Sequence, residues 1–300
     1  MEFVSIINLT PDSFSDGGEQ TNIERLESRL LDYQQRGIKI FDFGAESTAP
    51  FNEPIDEAEE ISRYREFLFP LLEKKIFDND VVFSIDTYKP QIFDQVYSQI
   101  RQFYPNNNIW WNDVSGVVEK DDWDLLARLD ANTSYIFSHT FVPEKKLTSQ
   151  HMDYAQKEMS SDDLAKEISE KFVTFQFNWN FKGIKSELIL DPCFGFSKTG
   201  EQNYGLIAKL GKVFKNVAID VPVMLGVSRK SFLRQLVKKH ALAGMDVENR
   251  DVLNQATEAL HWQVLQKLNV DLRNRKKFIR AHDPMYFLAS RELWDHVNII

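Results

Sequence analysis

A chain of 300 residues, 43% of them hydrophobic, can bury one large core, and the loose expectation of about two domains at this length yields readily to a single α/β barrel. Its formal charge of -9 works against binding a phosphate backbone or an anionic membrane surface, so neither nucleic acid nor membrane is an expected partner. Its single cysteine, Cys193, excludes an internal disulfide and a cysteine-built zinc site, and with neither a leader-like N-terminus nor an apolar stretch of membrane-spanning length, a cytoplasmic location is expected.

The first predicted strand is the apolar run from Val4 to Ile7, which stops at Asn8 and gives way to a polar loop. Pro11 and the turn at Asp16, Gly17 and Gly18 forbid continuation as helix or strand, and Thr10, Asp12, Ser13, Ser15 and Asp16 crowd donors and acceptors there. Ile23, Leu26, Leu30 and Leu31 at helical spacing predict a helix from Asn22 to Arg36, with Asn22 as N-cap and Gly37 just past its end. Ile38 to Phe43 is a second strand, running out at Asp42 and Gly44 into the loop Glu46 to Pro50, and a long helix is expected from Ile55 to Ile76. Val81 to Ile85 ends in Asp86 and Thr87, with Pro90 in the first turn of a helix to Phe103. Ile109 to Trp111 ends in Asn112 and Asp113 and leads to a helix over Asp121 to Leu129.

Tyr135 to Phe137 ends in Ser138, His139 and Thr140; Pro143 to Ser161 reads as irregular, and a helix then runs from Asp162 through the aromatic-rich Phe172 to Phe181. Leu188 to Leu190 ends in Asp191 and Pro192, a helix covers Gln202 to Phe214, and Val221 to Leu225 ends in Gly226, Val227, Ser228, Arg229 and Lys230. Helices over Ser231 to His240 and Asp251 to Leu268 precede Lys277 to Ile279, which ends in Arg280, Ala281, His282 and Asp283, and a last helix closes near Val297. About eight strands alternating with helices, without repeat, linker or domain boundary, predict one α/β domain over residues 1–300: a closed parallel barrel with its chemistry at the C-terminal strand ends. A doubly wound open sheet competes less well, since no G-x-G-x-x-G follows the first strand.

In such a barrel Asp86, Asn112 and Asp191, on three strand ends, point at one cavity and suit a heterocycle with a two-donor edge, which one carboxylate grips through two parallel hydrogen bonds. The bland alternative for each aspartate is the N-cap of the following helix. Ser228, Arg229 and Lys230 on one strand end, with Arg280 and His282 on the next, place cations where barrels commonly bind phosphate. Their alternative is an ordinary set of surface ion pairs with the many nearby carboxylates.

Read as words, Asn8 to Gly18 resembles the opening signature of dihydropteroate synthases. The likeness continues through Asp42 to Pro50, Ser84 to Thr87, Asn112 and Asp113, Asp191 to Phe196 with Lys198 and Thr199, Ser228 to Phe232, and Arg280 to Asp283, and so covers nearly the whole chain. It implies a TIM (β/α)8 barrel that joins 6-hydroxymethyl-7,8-dihydropterin diphosphate to p-aminobenzoate with loss of diphosphate, using Mg2+, as a homodimer whose partners are small-molecule substrates. It assigns Asp86, Asn112, Asp191 and Lys230 to the pterin. Asn8, Arg280 and His282 fall to the diphosphate and Asn8 also to the metal, while Phe14, Thr48, Pro50, Phe196 and Ser228 fall to the p-aminobenzoate side. Asp16, Lys230, Arg280 and His282 are the catalytic group it implies.

The chain departs from that pattern where the family's second loop reads S-T-R-P-G: here Ala49 and Phe51 replace a charged arm and a small residue, which leaves Asp16 as the acid that lacks a partner. Cys193 stands where a glycine is usual and is read as packing, and the stretch Leu268 to Lys277 is longer and more basic than the family pattern. Ala49 supports one alternative, a pterin-binding protein with impaired catalysis. A second is a pterin-dependent methyltransferase, which has no need of a diphosphate patch.

Overall fold

The computed structural model describes residues 1–10, 22–46, 53–240, 245–246 and 248–289. Eight parallel strands, β1 (Glu2–Asn8), β2 (Ile40–Gly44), β3 (Val82–Asp86), β4 (Ile109–Asp113), β5 (Thr133–Ser138), β6 (Glu187–Asp191), β7 (Val223–Leu225) and β8 (Lys277–Ala281), close on themselves in chain order. The helices that return the chain are α1 (Asn22–Gln35), α2 (Glu57–Phe67), α3 (Phe69–Glu73), α4 (Pro90–Phe103), α5 (Lys120–Leu126), α6 (Ser161–Phe181), α7 (Gly200–Val213), α8 (Ser231–Lys239) and α9 (Arg250–Asp271). This is the TIM (β/α)8 barrel expected of alternating strands and helices. None of the described helices is long and apolar enough to cross a membrane.

Alternation along each strand decides which residues face the lumen. Val4, Ile40, Trp110, Ile136, Ile189, Met224 and Phe278 pack against one another inside the barrel, with Trp110 edge-on to Phe278 at 4.6 Å. Two residues further along the same strands stand Asp42, Asn112, Ser138, Asp191 and Arg280, so the lumen changes from apolar to polar within one pleat. The intervening residues point outward into a second, larger core: Phe41, Phe43, Phe83, Trp111, Tyr135 and Phe137 are buried under the helices. Phe137 and Phe175 of α6 stack at 3.8 Å, and Phe93 of α4 stacks on Trp111 at 4.8 Å.

Two expected elements differ. The helix from Ile55 to Ile76 is two helices: Asp56 caps α2, accepting from the Glu59 backbone N–H at 2.8 Å, and α2 gives way to α3 at Leu68. Pro70 sits in the first turn of α3, the place where a residue without an N–H is tolerated, and it cannot continue a helix begun before it. The stretch Pro143 to Ser161 is not wholly irregular, since Lys145–Tyr154 forms 3-10 turns. Buried Lys145 anchors them through Asp113 at 2.6 Å and Asp122 at 2.8 Å.

The basic segment before β8 has a structural purpose. Buried Arg275 donates to the carbonyls of Phe214, Val217, Ala218 and Val221 at 2.5–3.2 Å, satisfying the chain as it leaves α7. Lys277 does the same for Leu272 and Arg275 after α9, at 2.7 and 2.9 Å. Cations at helix C-terminal ends satisfy orphan carbonyls and meet the negative end of the helix dipole. Arg275→Ala is therefore expected to destabilise the fold by about 2–4 kcal/mol, measured by urea unfolding, because charge-assisted bonds to buried groups are lost. An unchanged midpoint and slope would show that water satisfies those carbonyls equally well.

Candidate active site

Asp42 is the centre of the polar mouth. It is fully buried and accepts from Ser84 Oγ at 2.5 Å, from Asn112 Nδ2 at 3.2 Å and from Arg280 Nε at 2.5 Å. A second nitrogen of Arg280 reaches Asp86 Oδ2 at 2.5 Å, so one guanidinium joins β2, β3 and β8 across the barrel. Burial works against the Arg280 charge, but Asp42 and Asp86 outweigh it and hold the guanidinium firmly protonated. Burial pushes the Asp86 carboxyl up to about 7, against the Arg280 charge and with the Asp42 charge adding to the push.

Asp191, at the end of β6, is buried and accepts the Cys193 backbone N–H at 2.7 Å. Burial raises its carboxyl to about 6, opposed by that hydrogen bond and by the charges of Lys230 and Arg280. The turn after it is held from beneath: buried Lys198 donates to the carbonyls of His139, Cys193 and Phe196 at 2.9–3.1 Å. Cys193 takes a left-handed φ of 52°, which explains why glycine suits this position, and its side chain packs with Val114 and Phe196. Burial pushes its thiol up to about 12, so it is not a nucleophile, as its reading as packing requires.

Phe196 touches both a ring and a cation. His151 stacks on it at 4.1 Å, and Lys230 Nζ stands 4.7 Å over its face. Gly195 lets Lys230 pass, since it has φ +85° and a Cβ there would meet the lysine Cδ at 3.3 Å. Burial lowers the Lys230 pKa. On the adjoining strand ends Ser228 Oγ lies 2.7 Å from Glu258 Oε1 and 3.1 Å from His282 Nδ1. Arg229 Nε is 3.3 Å from the same Glu258 oxygen. Burial takes the His282 pKa well below its usual value, and the cations Arg229, Arg280 and Lys230 push the same way.

The structure thus brings Asp86, Asn112, Asp191, Lys230, Arg280 and His282 to one mouth, as the strand-end pattern predicts. Asn8 ends β1 beside Gly44, exposed at the rim. Ser228 is bonded to His282, not to Phe196. Phe14, Asp16, Thr48, Pro50, Ala49 and Phe51 lie outside the described residues. The ion-pair alternative holds in part, since Arg280 and Arg229 are paired with carboxylates.

Asp42, Ser84 and Glu258 carry the arrangement without having been singled out as site residues. Asp42 had a readable signal: an ionisable residue two places after a lumen-facing isoleucine in a barrel strand must face the lumen too.

Among the described residues, no group of three or more His, Cys, Asp or Glu is placed to hold a metal ion. Mg2+ is commonly held by one or two protein oxygens together with substrate phosphates, and Asn8 offers a hard amide oxygen at the rim beside the cationic strand ends, so the donor set fits a metal that arrives with a diphosphate.

A model of the pterin binding enzyme family matches residues 4–264. Dihydropteroate synthase of Clostridium beijerinckii is 30% identical over 231 residues, covering 77% of this chain and 75% of that protein. The Bacillus subtilis enzyme is 29% identical over 236 residues, covering 78% and 72%. Among solved structures, Xanthomonas albilineans dihydropteroate synthase with 4-aminobenzoic acid superposes with a TM-score of 0.72 at 25% identity, covering 100% of this chain and 93% of that one. Anaplasma phagocytophilum dihydropteroate synthase with bound 6-hydroxymethylpterin-monophosphate gives 0.70 at 26%, covering 100% and 99%.

Proposed function

The chain belongs to the pterin-binding enzyme family, and we propose that within it this protein works as a dihydropteroate synthase, a transferase of folate biosynthesis. The reaction joins 6-hydroxymethyl-7,8-dihydropterin diphosphate to p-aminobenzoate: the methylene C–O bond breaks, a C–N bond to the amine forms, and diphosphate and a proton leave. The observation that carries this reading is the meeting, in one barrel mouth, of half-buried Asp86 and buried Asp191 with the cations Lys230 and Arg280.

Breaking the C–O bond builds positive charge on carbon and negative charge on the leaving oxygens. Asp191, with Asp86 and Asn112 beside it, grips the pterin edge, and an electron-rich ring so held spreads the cation. Arg280 and His282 face the departing diphosphate, with Lys230 between ring and anion, where a fixed charge in a partly dry site is worth most. Phe196 and Ser228 border the p-aminobenzoate side, together with Phe14, Thr48 and Pro50 of the two loops. Asp16 completes the catalytic group. Mg2+ held by Asn8 and the diphosphate would supply countercharge for the leaving group.

A pterin-dependent methyltransferase would bind pterin with or without diphosphate alike, whereas the cationic strand ends here favour the diphosphate. Calorimetry is expected to show the pterin diphosphate binding at least about tenfold tighter than 6-hydroxymethylpterin, since each phosphate contact with a cation contributes about 1.5–3 kcal/mol before desolvation. Equal affinities would favour the methyltransferase reading.

The homodimer and the cytoplasmic location belong to the same reading. Support for a dimer comes from α6, where Phe177 and Phe181 are 68% and 82% exposed and stack on each other at 6.4 Å. Phe181→Glu is expected to shift the sedimenting species from dimer to monomer. A wild-type monomer would remove the dimer from this account.

A further inference from the structure

Glu258 lies on α9, an outer helix, yet its carboxylate reaches the barrel mouth and is only 5% exposed. A buried carboxylate behind a patch proposed to bind an anion is electrostatically unwelcome unless it serves another purpose. Its two oxygens are fully engaged: Oε1 with Ser228 Oγ at 2.7 Å and Arg229 Nε at 3.3 Å, Oε2 with His261 Nδ1 at 3.3 Å. Burial opposes its charge, but the hydrogen bonds from His261 and Ser228 outweigh burial and keep the carboxyl ionised.

An ionised carboxylate can only accept hydrogen bonds, so each of its partners must donate. The Ser228 hydroxyl therefore spends its one proton on Glu258. Its oxygen can then only accept, and it does so from the His282 backbone N–H at 3.2 Å and faces His282 Nδ1 at 3.1 Å. His282 Nδ1 must carry a proton to complete that contact, which leaves the neutral ring with a lone pair on Nε2.

We infer that Glu258 is a positioning residue for His282: through Ser228 it fixes the imidazole as the Nδ1–H tautomer and holds the strand ends of β7 and β8 in register. The choice of tautomer is not neutral for the site. A ring with an open Nε2 donates to a phosphate oxygen only after gaining a proton there, and burial and the neighbouring cations oppose that proton in the empty site, so the bound anion itself must favour it. Arg229 is drawn to the same carboxylate, with Nε 3.3 Å from Oε1. His261, fully buried behind Glu258 and edge-on to Phe287 at 4.6 Å, keeps the carboxylate in place from the other side.

The consequence for turnover rests on the synthase reading, but the tautomer does not, and the test separates them. Nitrogen-15 NMR of the His282 ring in the full-length protein, near neutral pH, is expected to show a protonated, pyrrole-like Nδ1 and a pyridine-like Nε2. Glu258→Gln keeps an acceptor oxygen for Ser228 and should preserve that pattern. Glu258→Leu frees the serine proton to turn toward Nδ1, and Ser228→Ala removes the relay altogether; both should move the population toward the Nε2–H form. With the pterin diphosphate as substrate, Glu258→Leu should lose about tenfold in kcat/KM and Glu258→Gln less than about threefold, while affinity for 6-hydroxymethylpterin stays unchanged in both. A pyridine-like Nδ1 in the wild type, or an unchanged ring in both folded Glu258→Leu and Ser228→Ala, would overturn the inference whatever the enzyme's activity.

Discussion

Asp191→Ala is expected to weaken binding of the pterin diphosphate by about two to four powers of ten, because two charge-assisted hydrogen bonds at about 1.5–3 kcal/mol each would be lost. The site offers little to replace them. Asp191 is buried with one oxygen accepting from Cys193, and its neighbours at the pterin edge, Asp86 and Asn112, already bond Arg280 and Asp42. Calorimetry on the folded variant decides; affinity within about threefold of the wild type would mean that the pterin is gripped elsewhere. The same carboxyl gives a pH signature. Burial raises it to about 6, so pterin affinity should decline as pH falls through that value and the group becomes protonated. Stability should move the other way. The folded state holds this proton more tightly than the unfolded chain, whose carboxyl sits near about 3.9, so the Asp191 contribution destabilises progressively as pH rises from about 4 to 6.

Arg280→Met should be still more damaging, since it removes a cation that joins three strands. Asp42 would be left buried with an unpaired charge, and Asp86 would lose its partner at 2.5 Å. Breaking a buried ion pair from one side typically costs about 3–5 kcal/mol. In whatever fraction folds, loss of a charge facing the leaving group should lower kcat/KM by about a hundredfold or more. Arg280→Lys keeps a charge but cannot reach both carboxylates with a planar fork, so it should recover part of the stability and little of the rate. Urea unfolding beside a diphosphate-release assay separates the two effects, and a Met variant with wild-type rate would take Arg280 out of the chemistry.

Much of this site is legible in the sequence because barrel strands announce their catalytic ends. Asp86, Asn112, Asp191, Lys230, Arg280 and His282 each follow an apolar run at the point where the strand stops, and closure of the barrel brings them together. Their pairing is not legible in the same way. Arg280 and Asp42 are 238 residues apart and meet only because β8 closes onto β1 beside β2. Asp42 reads as the end of an apolar run, and only its place in the lumen shows it to be the hub of Ser84, Asn112 and Arg280.

Glu258 is harder still. Helical periodicity shows that α9 packs on something, but not that one carboxylate on it reaches past the helix layer to Ser228. The break between α2 and α3 was written in Pro70 and was masked by the apolar spacing on either side. The purpose of Arg275 and Lys277 in the longer, more basic stretch is hidden for a reason of the same kind: the carbonyls they satisfy, at the ends of α7 and α9, are backbone groups that no side-chain pattern displays.

The central claim is that this mouth performs the condensation, and that the loss of the loop arginine at Ala49 slows turnover without abolishing it. Purified protein given the pterin diphosphate, p-aminobenzoate and Mg2+ should release diphosphate and form dihydropteroate in equal amounts. Release should depend on both substrates and rise in the Ala49→Arg variant. Diphosphate release no greater than a protein-free blank, with the pterin diphosphate nonetheless bound, would contradict the synthase and leave a pterin-binding protein in its place.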